Sequence, residues 1–276
     1  MKIILFADLH YFSGNIETAI FNTQKKLVRY SLPMLERLTE IINEEYKADI
    51  AVNLGDVIQD TTEHDGDIEA LKFIYKKLQA IKCPCVSVLG NHDLKMMDSV
   101  SEVEEAVGKR ATSALDLYGW HLVFLTTEVR PELGTSRGGC YKAQYLSDET
   151  LAWLDSDLSA NKLPTLIFTH FPLADDSSED DECMFMKNRA EVKRIISERG
   201  NVKAVFSGHR HITKTIIEDG IPHFHVGSMI GDLDLKGEPD GAYLKIDLSE
   251  STLAVTCQRI FASELIMKNG DEKNGN

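Results

Sequence analysis

Short apolar runs rich in β-branched residues recur at 2–7, 49–54, 85–89, 121–127, 165–169 and 202–207. Their length and composition predict buried β-strands. Between several of them the apolar positions take helical spacing. Ile68, Leu71, Tyr75, Leu78 and Ile81 form one stripe, closed by Pro84. Leu151, Leu154 and Leu158 form another, with Ser147 placed as its cap and Asp148 and Glu149 in its first turn. Val192, Ile195 and Ile196 form a third, ended by Gly200. The stretch 16–46 is mostly helical in period, but Pro33 is expected to break or kink it. After Gly208 the pattern changes. Runs at 212–217 and 221–226 flank Glu218-Asp219-Gly220 and predict a β-hairpin. Ala242, Leu244, Ile246 and Leu248 alternate with Tyr243, Lys245 and Asp247, which predicts a strand with one wetter face, followed by a neighbour at 252–257.

An α/β first part therefore leads into a more antiparallel last third. No Pro- or Gly-rich linker, charge step or repeat divides the 276 residues, so one domain is expected over 1–267. The polar, Gly/Asn-rich tail 268–276 is expected to be disordered. A chain of this length can bury most of its apolar surface without disulfides. The formal net charge of -14 argues against a surface built for nucleic acid, although a nucleotide substrate stays compatible if bound cations supply local positive charge. The five cysteines lack metal-finger spacing, and Cys83-Pro84-Cys85 is not a redox pair, so reduced thiols are expected. The apolar run at 3–7 is too short for a secretory signal, and no stretch is long enough to span a membrane. A cytoplasmic protein is the expectation.

Five short motifs follow the predicted strands: Asp8-Leu9-His10, Gly55-Asp56 with Asp60 behind it, Gly90-Asn91-His92-Asp93, Thr169-His170 and Gly208-His209-Arg210-His211. Each has an ordinary structural explanation alone. An Asp-x-His can be a hydrogen-bonded loop, a Gly-Asp an ordinary βα turn, and Asn91 a helix cap beside a satisfied histidine. Together they bring carboxylate and amide oxygens and imidazole nitrogens to strand ends, as a two-metal hydrolytic site requires. In extended backbone residues i and i+2 point the same way, so Asp8 and His10 can reach one metal, and His209 and His211 repeat the spacing. Asp56 is placed to bridge two cations, and Asn91 offers a neutral oxygen that keeps the site from becoming too anionic for a phosphate.

On these motifs the chain resembles the calcineurin-like metallophosphoesterases, whose pattern is D-x-H, G-D-x-x-x-D or similar, G-N-H-[DE], H and G-H-x-H. The match spans positions 8–211. The resemblance implies a four-layer αββα sandwich, with two mixed β-sheets face to face and helices outside. It implies one metal held by Asp8, His10, Asp56 and His211, and another by Asp56, Asn91, His170 and His209. His92 would be the catalytic histidine, with Asp93 its orienting partner. Leu146-Ser147-Asp148-Glu149 through Trp153-Leu154-Asp155, then Ile167-Phe168-Thr169-His170-Phe171-Pro172, looks like the class III cyclic-nucleotide phosphodiesterase and glycerophosphodiesterase branch. The tyrosine that purple acid phosphatases carry after Gly-Asp is missing from Gly55-Asp56-Val57.

Two cations about 3.5–4 Å apart lower the pKa of a bridging water enough to give hydroxide near neutral pH. The expected reaction is attack of that hydroxide on a small phosphate ester, with His92 assisting the leaving group or the phosphoryl charge. Mixed N/O donors admit Mn, Fe or Zn, and also Mg. Competing readings are a phosphomonoesterase on the same site, a DNA-end nuclease and a non-catalytic scaffold. The acidity opposes the nuclease, and the complete set of seven ligands plus His92 opposes the scaffold. A homo-oligomer is compatible with the chain; membrane attachment is not expected. The acidic run 175–182 reads as a solvated loop, or else a lid that repels highly charged substrates. His64 is a candidate for supporting the site, His223 and His225 read as core or rim, and Arg137-Gly138-Gly139 lies in a loop that could approach a phosphate.

Overall fold

The computed structural model describes residues 1–14, 25–61, 63–130, 144–174, 184–250 and 252–265. The acidic run, the Arg137 loop and the tail 268–276 lie outside the described residues. The apolar runs form strands β1 (Lys2–Phe6), β3 (Ile50–Asn53), β4 (Cys85–Ser87), β6 (Trp120–Leu125), β7 (Thr165–Thr169) and β8 (Val202–Ser207). A two-residue strand, β2 (Lys25–Lys26), and a further strand, β5 (Ser113–Leu117), were not signalled by the pattern. The last third adds β9 (Lys214–Glu218), β10 (Ile221–His225), the short β11 (Gly231–Asp232), β12 (Ala242–Leu248) and β13 (Leu253–Arg259). Asp219 and Gly220 turn the β9–β10 hairpin with φ of 50° and 78°, the left-handed pair that matches strand twist.

Two mixed sheets result. One runs β13-β12-β1-β3-β4, parallel from β1 to β4 and antiparallel at β12 and β13. The other runs β5-β6-β7-β8-β10-β9, parallel at its centre with an antiparallel strand at each edge. Parallel strands covered on both faces read as continuous apolar runs, which is why these strands were visible in the sequence.

Three apolar layers hold the sheets in a four-layer αββα sandwich. Ile3, Leu5, Ile50, Val52 and Leu244 of the first sheet pack against Leu122, Phe124, Leu166, Phe168 and Phe206 of the second. Phe124, Phe168, Phe206 and Phe224 stack across four neighbouring strands with centroids 5.2, 5.3 and 5.0 Å apart. The outer face of the first sheet, with Ile4, Phe6 and Ala51, packs on helices α1 (Ser31–Glu40), α2 (His64–Leu78) and, beyond the short α3 (Asn91–Leu94), α4 (Val100–Val107). The outer face of the second, with Val123, Ile167 and Val205, packs on α5 (Asp148–Ala160) and α6 (Arg189–Arg199). Ser147 caps α5 by accepting from the Thr150 N–H at 3.1 Å, and Gly200 ends α6 with φ 69°.

Pro33 does not break the helix. It sits in the first turn of α1, where an N–H has no intrahelical partner to lose. Of the expected helical stretch before it, residues 16–24 lie outside the described residues, while β2 and a single 3-10 turn at Val28–Tyr30 occupy the part that follows. Tyr243 also departs from the expected wetter face: it is buried against the α1–α2 layer, while Asp247 is exposed. No helix among the described residues is long and apolar enough to cross a membrane.

Candidate metal centre

The loops after β1 and β3 run side by side. Asp8 N–H donates to Gly55 O at 3.0 Å, His10 N–H to Asp56 O at 2.9 Å, and Tyr11 N–H to Val57 O at 2.9 Å. This pairing is not extended backbone. Asp8, His10, Asp56, His209 and His211 have φ of 57°, 46°, 53°, 68° and 56°. They are five of the nine non-glycine residues with positive φ among the described residues. Such backbone costs of order 1–3 kcal/mol per residue and persists where function holds it. Asp8 and His10 thus converge from left-handed backbone rather than from an extended strand.

His209 and His211, left-handed as well, fall into different donor groups. His211 Nε2 lies 3.3 Å from Asp8 Oδ1 and 3.0 Å from His10 Nε2. His209 Nδ1 lies 3.2 Å from His170 Nε2, which is also 3.2 Å from Asn91 Oδ1. Asp56 stands between the two groups, its Oδ2 3.8 Å from His10 Nε2 and 3.5 Å from His170 Nε2. Asp8–His10–His211 and Asp56–His170–His209 each bring their donor atoms within 4.8 Å of one another. His170 Nδ1 is 2.8 Å from Leu54 O, so it carries the ring proton and leaves Nε2 as a lone-pair donor.

The donor set fits divalent cations. Asp8 Oδ1 is buried and meets no donor in hydrogen-bond geometry among the described residues, although His211 Nε2 lies 3.3 Å away; a cation there would satisfy it. Burial pushes the Asp8 carboxyl up, but the surrounding imidazoles, His211 first, outweigh it and hold the group below its ordinary value. Burial, and then the Lys26 ammonium, push the His10 imidazole well down, so it is neutral and able to coordinate. The centre also needs glycine at position 90: a Cβ there would lie 2.1 Å from Asp56 Oδ1 and 2.7 Å from His170 Cε1.

His92 lies beside this cluster, its Nε2 4.0 Å from Asp56 Oδ2. Its expected orienting partner, Asp93, is engaged elsewhere. The Asp93 carboxylate accepts from the N–H groups of Asp56, Val57, Ile58 and Gly90 at 2.8–3.2 Å, pinning the loop after β3 to the start of α3. Burial, with the Asp56 charge, raises Asp93 to about 7. The partner of His92 Nδ1 is Asp60, which also pairs with Lys95, while Gln59 Nε2 lies 3.1 Å from the same ring nitrogen. Burial and Lys26 push the His92 imidazole below its ordinary value, against the pull of Asp56 and Asp60.

Asp60 was already present in the Gly-Asp motif as the acid four positions behind Asp56; Lys26 and Gln59 belong to no pattern. His64 does not support the site: it is exposed, bonded to Asp65 at 3.0 Å and Glu102 at 3.2 Å. His223 and His225 are buried in β10, and His225 Nε2 lies 2.9 Å from Ala174 O.

A family model described as calcineurin-like phosphoesterase matches residues 1–213. A probable cyclic nucleotide phosphodiesterase of Xenorhabdus bovienii is 25% identical over 219 residues, 76% of this chain and 78% of its own length. The glycerophosphodiester phosphodiesterase GpdQ of Enterobacter lignolyticus is 23% identical over 171 residues, 60% of this chain and 56% of its own length. In fold, the chain is similar to the crystal structure of a dimetal phosphatase from Danio rerio. The TM-score is 0.74 at 17% identity, covering 94% of this chain and 96% of that one.

Proposed function

The chain belongs to the calcineurin-like phosphoesterase family, and from that premise we propose that it is a two-metal phosphodiesterase of the cytoplasm. Its substrate would be a small phosphate ester of the cyclic-nucleotide or glycerophosphodiester type. One observation carries the two-metal part: Asp56 presents one oxygen within 3.8 Å of a nitrogen from each donor group. Asp8, His10, Asp56 and His211 would hold one cation, and Asp56, Asn91, His170 and His209 the other. The diester preference is supported by the names of the relatives.

Bound cations would supply charge for the phosphoryl oxygens and the acidity that makes a nucleophile of water near neutral pH. The protein supplies the rest. Asp8, Asp56 and the buried imidazoles fix where the phosphoryl group sits. His92, held by Asp60 through Nδ1, keeps Nε2 toward the cluster, where it can deliver a proton to the departing alkoxide or bond a phosphoryl oxygen. The Asp93 carboxylate is taken up by four backbone N–H groups and fixes the backbone that carries Asp56.

This division of labour predicts different failures for two variants. His92→Ala should keep its metal content and lose about 10²–10⁴-fold in turnover, the usual worth of a positioned acid–base group. Asp56→Ala should lose metal as well as activity. Metal analysis and turnover of both purified variants check this; near-normal turnover in His92→Ala would remove that residue from the mechanism.

A further inference from the structure

Lys26 brings an ammonium into the centre from an element outside all five motifs. Its backbone is fixed at several points. Lys26 pairs with Gly231 across the β2–β11 ribbon, and Leu27 N–H donates to Ile230 O at 2.9 Å. Ser228 Oγ accepts from the Ile230 and Gly231 N–H groups at 3.1 and 3.0 Å and donates to Asp8 O at 2.9 Å. The strand that carries the lysine is thereby tied to the loop that carries Asp8 and His10. The side chain then reaches Gln59 Oε1 at 3.0 Å, His92 Nε2 at 3.1 Å and His10 Nδ1 at 3.4 Å.

These contacts place Nζ against Nε2 of His92, the ring atom that its bond to Asp60 leaves toward the substrate. Lys26 thereby brings a cationic donor to the edge of the cluster, beside the ring that faces it. An oxyanion is the kind of group such a cation binds, through short charge-assisted hydrogen bonds.

Resting on the phosphoesterase reading above, we propose that Lys26 binds a non-bridging phosphoryl oxygen of the substrate beside His92. It also weights the site by substrate charge. Coulombic attraction scales with the charge of the partner, so a dianion, whether a monoester or inorganic phosphate, gains more from Lys26 than a monoanionic diester.

The test compares metal-loaded wild type, Lys26→Gln and Lys26→Arg. In Lys26→Gln, KM for bis(p-nitrophenyl) phosphate should rise about tenfold, the loss of one charge-assisted bond, with kcat within about threefold. KM for p-nitrophenyl phosphate and the inhibition constant of inorganic phosphate should rise by a factor several times larger. Lys26→Arg should return each to within about threefold of wild type, and metal content should not change. KM and phosphate inhibition unaltered in Lys26→Gln would overturn the proposal. So would an equal loss on both esters that arginine does not rescue, the result of a structural role. If wild type hydrolyses neither ester, the phosphoesterase reading falls. Calorimetric binding of inorganic phosphate to the same three proteins then still decides Lys26: weaker binding in Lys26→Gln alone supports it, and equal binding in all three overturns it.

Discussion

His92 shows how much of a site depends on partners distant in sequence. Its Nδ1 meets Asp60, on the loop after β3, while the adjacent Asp93 binds four backbone N–H groups. The sequence offered both carboxylates, and adjacency favoured the wrong one. At the third position of a short helix an acid turns back to the N-terminal N–H groups, as Asp93 does toward Gly90. Asp60→Asn should leave metal content intact and lower kcat about 10–100-fold, the usual cost of losing a group that orients a histidine; parallel metal analysis and kinetics check it. A second histidine, His223, marks a stability effect away from the centre. Burial pushes its pKa from 6.5 to about 4, so between those values the unfolded chain binds the proton that the folded chain refuses. Stability therefore rises with pH across that window and is lost as pH falls from about 6.5 to 4, by up to about 3 kcal/mol at 1.4 kcal/mol per unit. His223→Leu should lose less stability than wild type on the same acidification, measured by denaturant unfolding at both pH values; equal losses would contradict the assignment.

At the scale of elements, the central strands were legible because burial on both faces makes them continuously apolar, as in Thr165–Thr169 and Val202–Ser207. The caps of α5 and α6 were legible for a local reason: Ser147 and Gly200 act on their own helix ends. Other elements were hidden. Strand β5, Ser-Ala-Leu-Asp-Leu, is an edge strand only partly covered, and its burial shows no clean alternation. The β2–β11 ribbon is two residues long on each side and depends on a partner some 200 positions away, so no local pattern announces it. The motif loops lie at strand ends, but their left-handed backbone was not foreseen; those after β1 and β3 pair with each other, a contact that no local pattern announces. Their tight approach predicts the effect of a single methyl group. Gly90→Ala places a Cβ against Asp56 Oδ1 and should displace Asp56, so metal content and turnover should both fall while the far-ultraviolet circular dichroism is retained. Full metal occupancy in that variant would contradict the packing argument.

For the whole molecule, the sandwich explains why so many polar groups can sit buried in one place. The two sheets and their helices bury their apolar faces in three layers, and the strand ends are left to carry loops whose positions those layers fix. Asp8, His10, Asp56, Asn91, His170 and His211 are all nearly inaccessible to solvent. Burying such a cluster is costly unless hydrogen bonds or cations meet its lone pairs. The family accounts for the chemistry, and the donor geometry for its location. The most direct measurement is turnover of bis(p-nitrophenyl) phosphate and p-nitrophenyl phosphate by purified protein, after chelation and again after reloading with Mn²⁺, Fe²⁺ or Zn²⁺, with bound metal counted in each state. The account predicts no turnover after chelation, and recovery at two metal ions per chain with the diester preferred. Two bound metals without hydrolysis of either ester, or turnover that survives complete chelation, would contradict it.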